Sequence, residues 1–510
     1  FVIQFIANGL GCFRPPDRPR RRELQLPGGA RMMRAMWATL FFLTHTTLSL
    51  VIIARVLMRP RIEPSVRLAW IMVVEAVPLL GILAYLLFGE VRMSQAEVQR
   101  MADVRDRLTG RDPGLPMVRP DRDDPAGPVI AANASVGGME ARAGNVLSLL
   151  EESDGAIDDL VAAIDGAQDH VHVLFYIWLP DASGTKIAEA LMRAEDRGVQ
   201  CRVIVDALGS RLLVRSALWD RMAQAGVECV TAFPWGLPFI SVLFQRLDLR
   251  NHRKILVIDN RLAFTGSRNC ADMAFRIKAR FAPWVDILVS VRGPAVRQLQ
   301  AVFLADWMSY TGRDLGPMLQ PVAPQADPGI VAQVVATGPD LRAGSVSDCL
   351  SAMLHAARDR VVITTPYYVP DDALDAAIRA AARRGVQVTM ILPARNDSLI
   401  VGATSEGFYY GLLAAGVRLV LFQGGLLHSK ILTVDGRMAM IGSANLDRRS
   451  FELNYEVNMA VFDPEFVAAL DARQASYVER ARALSLEEVR GWSALRRIRN
   501  NACALASPLL

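Results

Sequence analysis

The sequence carries the same pattern of a histidine, a lysine and an aspartate at two places. In each copy the lysine follows the histidine by two positions and the aspartate follows the lysine by five. Residues i and i+2 of a strand point to the same side, so each histidine and its lysine would share one space. This pair suits phosphate chemistry: the lysine neutralises non-bridging oxygens, and the histidine attacks phosphorus or moves a proton. The two sets are His252, Lys254 and Asp259, and His428, Lys430 and Asp435.

A turn of small residues follows each copy and adds candidate phosphate ligands. Ser267 and Asn269 lie in Thr-Gly-Ser-Arg-Asn, and Ser443 and Asn445 lie in Ile-Gly-Ser-Ala-Asn. Serine hydroxyls and asparagine amides can donate hydrogen bonds to phosphate oxygens. We therefore expect these four side chains to contact the phosphate of the substrate.

A histidine that acts as a nucleophile needs a partner to orient its other ring nitrogen. Asp286 and Glu456 follow the two motifs at similar distances, so we predict that these carboxylates orient the histidines. A single His-x-Lys-x4-Asp match often arises by chance. Two matches, each followed by Gly-Ser-x-Asn at equivalent points of a repeat, favour the catalytic interpretation.

The motifs belong to a longer internal repeat. Short β-branched runs alternate with amphipathic stretches, such as 184–198 and 372–385, which end on a glycine. This order predicts an α/β fold of two pseudo-symmetric lobes with mixed, mainly parallel sheets flanked by helices and a cleft between the lobes. The corresponding segments of the two copies are 171–181 and 361–371, 197–207 and 384–394, 225–230 and 415–420, and 251–269 and 427–445.

Composition sets few limits on function. The 510 residues are 52% hydrophobic and carry a net charge of +5, which fits either an anionic membrane or substrate or an ordinary surface. The six cysteines form no Cys-x-x-Cys pair, so neither a zinc site nor a disulfide framework is indicated.

Two apolar stretches near the N-terminus predict a membrane anchor. Residues 35–54 carry no formal charge, and residues 68–88 contain one acid, Glu75. Each has the ~20 residues of a bilayer-spanning helix. The Arg-rich connector 55–67 is short, so we expect a transmembrane hairpin. A cleaved signal peptide followed by a buried core helix is the alternative. The arginines leave the orientation open.

These features predict a chain of several parts. Residues 1–34 are interpreted as an N-terminal tail of uncertain start, with Met32 or Met33 as alternative translation starts. The proposed parts are a transmembrane anchor at 35–90, a linker at 91–128, the first lobe at 129–312, a second linker at 313–329, and the second lobe with a basic amphipathic C-terminus at 330–510.

The duplicated motif followed by Gly-[Gly/Ser]-x-Asn resembles the phospholipase D superfamily. Within it, nearly the whole chain is similar to the bacterial cardiolipin synthases. One departure is Gly-Ser in place of the more usual Gly-Gly after the first motif. The matching segments are YLLFGE at 85–90, FYIW at 175–178, RNHRK at 250–254, TTPYYVPD at 364–371, NLDRRSFELNYE at 445–456 and SPLL at 507–510.

The resemblance implies a phosphatidyltransferase that needs neither metal nor cofactor. His252 would attack a phosphatidylglycerol and form a phosphohistidine, and His428 would act as acid and then base, although the sequence itself is symmetric here. A second phosphatidylglycerol would accept the phosphatidyl group, giving cardiolipin and glycerol. Lys254, Lys430, Asn269 and Asn445 would hold the phosphate. Asp259 and Asp435, five residues past the lysines along a strand, are expected to brace the site.

The resemblance also implies a multi-pass protein of the bacterial cytoplasmic membrane that binds phosphatidylglycerol and other anionic phospholipids. The oligomeric state stays open. A membrane-tethered phospholipase D, or transfer to another alcohol such as ethanolamine or serine, would use the same residues. Nuclease chemistry is disfavoured, and nucleic acid is not expected as a partner, because the chain lacks a basic groove interleaved with aromatic residues. A non-enzymatic membrane scaffold would be expected to have lost a histidine or lysine. The remaining lobe histidines, His170, His172 and His355, are interpreted as surface or helix residues.

Overall fold

The computed structural model describes residues 28–59, 64–90, 95–109, 117, 118, 120, 123–234, 249–342 and 344–505. Most of the predicted tail at 1–34 lies outside these residues, as do 235–248 and the C-terminal 506–510. The chain divides into two compact units. The first comprises residues up to 62 together with 71–82, and the second comprises 63–70 and 83–510.

The N-terminal apolar region forms three helices: α1 (Gly28–Met58), α2 (Pro64–Ala76) and α3 (Leu80–Phe88). Among the described helices, α1 alone is long and apolar enough to cross a membrane, over Met32–Met58. The second predicted span, 68–88, is not one continuous helix. It breaks between α2 and α3 at Pro78, whose ring and missing N–H disfavour an uninterrupted helix.

The rest of the described chain builds two lobes with matching strands. The first lobe contains β1 (Arg142–Leu149), β2 (His170–Phe175), β3 (Gln200–Asp206), β4 (Glu228–Ala232), β5 (Arg250–Asn251), β6 (Lys254–Ile258), β7 (Leu262–Gly266), β8 (Trp284–Val285) and β9 (Leu288–Arg292). The second contains β10 (Ile330–Thr337), β11 (Arg360–Thr364), β12 (Tyr368–Val369), β13 (Gln387–Pro393), β14 (Arg418–Phe422), β15 (Leu426–Leu427), β16 (Ile431–Val434), β17 (Met438–Gly442), β18 (Leu446–Asp447), β19 (Asn454–Phe462) and β20 (Ala481–Leu484).

Helices cover both faces of these strands. The helices before and within the first lobe are α4 (Gln95–Thr109), α5 (Ala126–Gly137), α6 (Gly155–Asp165), α7 (Ala182–Asp196), α8 (Arg211–Val214), α9 (Ala217–Gln224) and α10 (Pro294–Thr311). Those of the second lobe are α11 (Ser345–Ala356), α12 (Asp372–Arg383), α13 (Leu399–Ala414), α14 (Arg448–Glu452), α15 (Pro464–Glu479), α16 (Leu486–Arg490) and α17 (Ala494–Leu505). Single 3-10 segments lie at Arg276–Phe281 and Gly316–Met318.

The strand order confirms two pseudo-symmetric α/β lobes. The first runs β1-β9-β7-β6-β2-β3-β4, and the second runs β10-β19-β17-β16-β11-β13-β14-β20. The two join through the antiparallel pair β1–β10 into one sheet. The sheets are mixed, as predicted, but the expectation that most strands pair in parallel was wrong. Within each of these runs, parallel pairing is confined to β2-β3-β4 and β11-β13-β14. The motif strands β6 and β16 turn back through tight hairpins and are antiparallel.

The core continues from one lobe into the other. One cluster of buried side chains includes Ile255 and Val289 from the first lobe, and Ile431 and Met459 from the second. Helix α4 adds Val104 and Leu108 to the same cluster, so much of the predicted linker at 91–128 is an ordered part of the body. The two lobes therefore fold around shared apolar surface, which fixes their cleft.

Candidate active site

The two histidines lie where short strands of one lobe join strands of the other. Strand β5 pairs with β19 and strand β15 pairs with β8, both in parallel. The backbone N–H of His252 donates to Tyr455 O at 2.9 Å, and that of His428 donates to Val285 O at 2.8 Å. Each histidine is therefore positioned by the opposite lobe.

Both predicted orienting carboxylates contact a histidine, but the pairs cross between the lobes. Nδ1 of His252 lies 2.9 Å from Glu456 Oε2, and Nδ1 of His428 lies 2.6 Å from Asp286 Oδ1. Glu456 follows the second motif and Asp286 follows the first, so each histidine uses the carboxylate of the other half. Because Nδ1 is engaged, Nε2 is the nitrogen left for chemistry on each ring.

The two serines hold the carboxylates instead of contributing a free hydroxyl. Ser267 Oγ donates to Asp286 Oδ1 at 2.6 Å, and Ser443 Oγ donates to Glu456 Oε2. Both hydroxyls also accept a backbone N–H, from Ile287 and Val457. The structure therefore differs from the expectation that these serines contact phosphate. Their shared role is to brace the partner of a histidine.

Burial and the ion pairs shape the charges of the two histidine–carboxylate pairs. Burial lowers the pKa of His252 to about 4 against the opposing effect of Glu456, and it also lowers the pKa of His428. Burial alone would raise the pKa of Glu456 and Asp286, but the adjacent imidazoles, their hydrogen bonds and the nearby lysines lower each to about 2. His252 is thus neutral and Glu456 ionised at neutral pH, as a nucleophilic imidazole requires.

The two lysines are buried beside their histidines. Each Nζ donates to the carbonyl of the histidine two residues earlier, at 2.5 Å for both Lys254 and Lys430. Burial lowers the pKa of Lys254 to about 7 and that of Lys430 to about 8, and Lys430 lowers that of Lys254 further. Both lysines also lower the pKa of the two histidines. The carboxylates of Glu456 and Asp286 act in the opposite direction on both lysines. A bound phosphate would likewise favour the charged ammonium form of each lysine.

Asp259 and Asp435 lie at the far ends of the motif strands and do not contact the histidines. The Asp259 carboxylate accepts three backbone N–H groups, from residues 168 to 170, at 2.8–2.9 Å. Asp435 accepts three from residues 358 to 360 at 2.8 Å. Both aspartates have positive φ, 51° and 53°, at the hairpin turns. They clamp each motif hairpin to the start of its neighbouring strand.

The cavity between the lobes, of about 410 Å³, is lined by His252, His428, Asn269 and Asn445. Asn269 Oδ1 accepts the backbone N–H of Ile177 at 3.2 Å. Nδ2 of Asn269 and Oδ1 of Asn445 are buried and have no hydrogen-bond partner within the part of the chain that the structure describes. Such unpaired polar atoms beside two histidines suit a polar substrate group. The structure thus brings the predicted histidines and asparagines to one space.

The middle residue of each His-x-Lys motif binds the strand that bears the crossed carboxylate. Arg253 Nε donates to Glu456 O at 3.2 Å, and its guanidinium also pairs with Asp306 of α10. Ser429 Oγ donates to Val285 O at 3.0 Å, one residue before Asp286. Neither residue was predicted as functional from the sequence, although alternation along the strand places them opposite the histidine and lysine.

Two aromatic residues that the sequence analysis also missed pack on the histidines. Tyr176 meets His252 edge-on with the ring centroids 4.7 Å apart, and Trp284 lies 4.8 Å from His428. Tyr176 directly follows β2, and Trp284 lies two residues before Asp286, so both positions adjoin segments that the motif analysis had marked.

The interpretation of His170 and His172 as surface or helix residues was wrong. Both are buried in β2, where Gln300 of α10 bonds His172 Nδ1 at 3.0 Å and lies 3.3 Å from His170 Nε2. Both faces of β2 are buried, so the ring nitrogens of these histidines find their hydrogen-bond partners inside the protein. His355 is exposed on α11.

Comparison with known proteins agrees with this geometry. A family model described as "Cardiolipin synthase, PLD-like domain" matches residues 160–307 and 350–476, and one described as "Phospholipase_D-nuclease N-terminal" matches 47–90. Cardiolipin synthase A of Escherichia fergusonii is 36% identical over 84% of this chain and 90% of its own length. The Edwardsiella ictaluri protein of the same name is 35% identical over the same shares.

Among solved structures, a phosphatidylserine synthase of Haemophilus influenzae superposes with a TM-score of 0.57 at 14% identity. The match covers 75% of this chain and all of that one. This likeness concerns the fold alone, and it matches the paired lobes found here. The family models and the curated relatives lead to one conclusion: the chain belongs to the cardiolipin synthase family of phospholipase D-like proteins.

Proposed function

We propose that this protein transfers a phosphatidyl group from one phosphatidylglycerol to another, producing cardiolipin and glycerol. The observation that carries the proposal is the pair of imidazoles at one cavity, each held at Nδ1 by a buried carboxylate and each beside a buried lysine. The curated relatives named cardiolipin synthase A support the same reaction.

In the first step, Nε2 of His252 attacks the phosphorus of the donor lipid. The bond from phosphorus to the glycerol oxygen breaks, and protonated His428 gives its proton to the departing glycerol. The enzyme then carries the phosphatidyl group on His252 as a phosphohistidine. Lys254, Lys430, Asn269 and Asn445 hold the non-bridging oxygens of the phosphate. Glu456 keeps Nδ1 of His252 hydrogen-bonded and stabilises the charge that forms on the ring.

In the second step, neutral His428 takes the proton from a glycerol hydroxyl of the acceptor phosphatidylglycerol. The resulting oxygen attacks phosphorus, the phosphorus–nitrogen bond breaks, and neutral His252 is regenerated. Asp286 stabilises the charge that His428 carries before the first step and regains in the second. The lowered pKa of His252 suits a nucleophile, since a mainly neutral imidazole has its lone pair available. The pKa of His428 is lowered as well, so the choice of His252 over His428 rests on the resemblance to related enzymes.

The proposed location is the bacterial cytoplasmic membrane, with two passes. Helix α1 provides one span over Met32–Met58. Helices α2 and α3 together cover the second apolar stretch, and the N-terminal family model matches 47–90, across all of it. A second pass would take these two helices as one broken span around Pro78. Phosphatidylglycerol and other anionic lipids are the proposed substrates and surroundings.

Product analysis tests the proposed reaction. The full chain in detergent is incubated with phosphatidylglycerol and EDTA, and the lipids are resolved by mass spectrometry. We expect cardiolipin and glycerol, and neither with His252→Ala or His428→Ala. The matched control is His355→Ala, an exposed histidine on α11, which should keep full activity. Phosphatidic acid without cardiolipin would instead indicate transfer to water, and cardiolipin formation by both active-site variants would contradict the mechanism.

A further inference from the structure

Exposed aliphatic side chains lie at the mouth of the cavity. Leu399 is 83% exposed, Ile400 52% and Ile277 45%, whereas the lobes bury most of their large apolar side chains. Ile277 itself lines the cavity. Side chains of this kind, clustered beside a substrate cavity, usually mark a surface that another apolar phase covers.

An ion pair between the lobes holds the two parts of this cluster together. Lys278, next to Ile277, pairs with Asp397, two residues before Leu399. Asp397 also accepts the phenol hydrogen of Tyr367 at 2.7 Å. Lys278, Asp397 and Tyr367 all line the cavity. The exposed aliphatic residues therefore stand on both sides of the same entrance.

Basic side chains accompany the aliphatic ones. Arg276 and Arg280 flank Ile277 and Lys278 in the exposed 3-10 segment, and Arg395 is exposed four residues before Leu399. The Arg280 and Arg395 guanidiniums both lie near the Phe281 ring, at 4.5 and 5.6 Å from its centroid. Aliphatic residues with adjacent cations match the chemistry of an anionic lipid surface, where acyl chains lie beneath negative headgroups.

We propose that this mouth patch, defined as 276–280 with Arg395, Leu399 and Ile400, docks on the surface of an anionic phospholipid bilayer. The inference rests on the proposed function, since it gives the lipid substrate a route from bilayer to histidines. Leu399 and Ile400 enter the acyl boundary, the arginines bind headgroup phosphates, and a headgroup passes beside the Lys278–Asp397 ion pair into the cavity.

The test compares bilayer and dissolved substrate. The full chain carrying Leu399→Asp and Ile400→Asp is assayed in proteoliposomes of long-chain phosphatidylglycerol, and in detergent with short-chain phosphatidylglycerol below its micelle concentration. Replacing two inserted aliphatic groups with carboxylates should lower the bilayer rate about tenfold or more. The rate on dissolved substrate should stay unchanged. The control adds two carboxylates elsewhere: Ala223→Asp with Gln224→Asp, both exposed on α9, should leave both rates unchanged.

Three results would overturn the docking proposal: an unchanged bilayer rate, an equal loss on both substrates, or an equal loss in the α9 control. A dimer that dissociates in the mouth-patch variant would show that a second copy, not lipid, covers the patch. The unaltered chain distinguishes failure of the proposed function. If it makes no cardiolipin from dissolved phosphatidylglycerol, the chemistry is wrong whatever the patch does.

A second measurement does not depend on turnover. An environment-sensitive dye is attached at Leu399→Cys or, as control, at Ala223→Cys on α9, in the full chain held in nanodiscs. We expect the emission at position 399 to shift to the blue in discs containing phosphatidylglycerol relative to discs of phosphatidylcholine, and position 223 to show no such shift. Equal emission at 399 in both kinds of disc would contradict docking on anionic lipid.

Discussion

At the residue scale, the two histidines share one arrangement but not one carboxylate geometry. Each uses Nδ1 to bind a buried carboxylate. Nδ1 of His428 lies 2.6 Å from one oxygen of Asp286, whereas Nδ1 of His252 lies 2.9–3.0 Å from both oxygens of Glu456. Burial is the largest cause that lowers the pKa of both histidines, to about 4 for His252. The two pairs therefore differ in the geometry of their carboxylates and not in the direction of their pKa shifts.

Removing the charge of Glu456 tests how much this carboxylate contributes. We expect Glu456→Gln to lower kcat about 10²- to 10⁴-fold, because the imidazolium-like charge that develops on His252 loses its stabilising partner. Single-turnover assays measure the effect, and circular dichroism verifies the fold. Glu479→Gln, an exposed acid on α15, is the control and should be silent. A loss of less than threefold would show that Glu456 does not act through His252.

The paired lysines predict proton uptake when an anion binds. Their pKa values of about 7 and 8 mean that both are partly neutral at pH 8. A bound anion favours the ammonium form and raises both values, so protons are taken up at pH 8 and almost none at pH 5, where both lysines are already charged. Titration calorimetry with sulfate in buffers of different ionisation enthalpy counts these protons. Lys254→Met should reduce the count at pH 8, and an unchanged count would contradict the assignment.

At the element scale, the aspartate of each motif binds the backbone of a neighbouring strand and lies away from the two motif histidines. Asp259→Asn keeps the size of the side chain but weakens the bonds to three backbone N–H groups. We expect a loss of about 1–3 kcal/mol in the free energy of unfolding. The kcat of the folded fraction should change little, because the carboxylate lies about 16 Å along the strand from Lys254. Denaturant titration measures the free energy of unfolding, and activity assays of the protein in detergent measure kcat. A collapse of kcat without loss of stability would assign Asp259 a chemical role.

Arg253 links β6 to the strand that bears Glu456, and it predicts a different outcome. Arg253→Lys keeps the positive charge, but one ammonium group cannot bind Asp306 and the carbonyl oxygen of Glu456 at the same time. The position of Glu456 relative to His252 is then less firmly held. We expect kcat to fall about tenfold or more with little change in KM, and the acidic limb of the pH–rate profile to move. A rise in KM alone would place Arg253 in substrate binding instead.

The periodicity of the sequence was sufficient to predict the elements but not all their directions. The glycine-ended helices and the repeated strands appear as α7, α12, β2, β3, β11 and β13. The antiparallel return of β7 and β17 was missed, although Asp259-Asn260 and Asp435-Gly436 are turn dipeptides of the kind that closes tight hairpins. The broken second apolar stretch follows from Pro78, which a hydropathy pattern alone does not register.

At the scale of the whole molecule, one sheet and one core cross the boundary between the repeats. A protease site inserted between Ala323 and Pro324, within the irregular crossing segment, tests this continuity. We expect the cleaved halves to co-migrate in size-exclusion chromatography and to retain most of their activity, since β1–β10 pairing and the shared core still join them. Separation of the halves without denaturant would show that the crossing segment, and not the core, holds the lobes together.

The local pattern of the sequence also could not show which carboxylate serves which histidine. Glu456 lies 204 positions from His252, and Asp286 lies 142 from His428. Their meeting depends on two short parallel pairs, β5 with β19 and β8 with β15, that only the assembled lobes create. The residue types were predictable because chemistry demands them. Their partners were not, because those depend on the tertiary structure.

The crossed histidine–carboxylate pairs have a consequence for how the repeat could have evolved. Neither half of the gene encodes a complete histidine–carboxylate couple, because His252 pairs with Glu456 and His428 with Asp286. If the repeat arose by duplication, an ancestor of half this length had this site only as two identical subunits that exchanged carboxylates. Fusion into one chain then freed the two histidines to diverge, and a donor side and an acceptor side became possible.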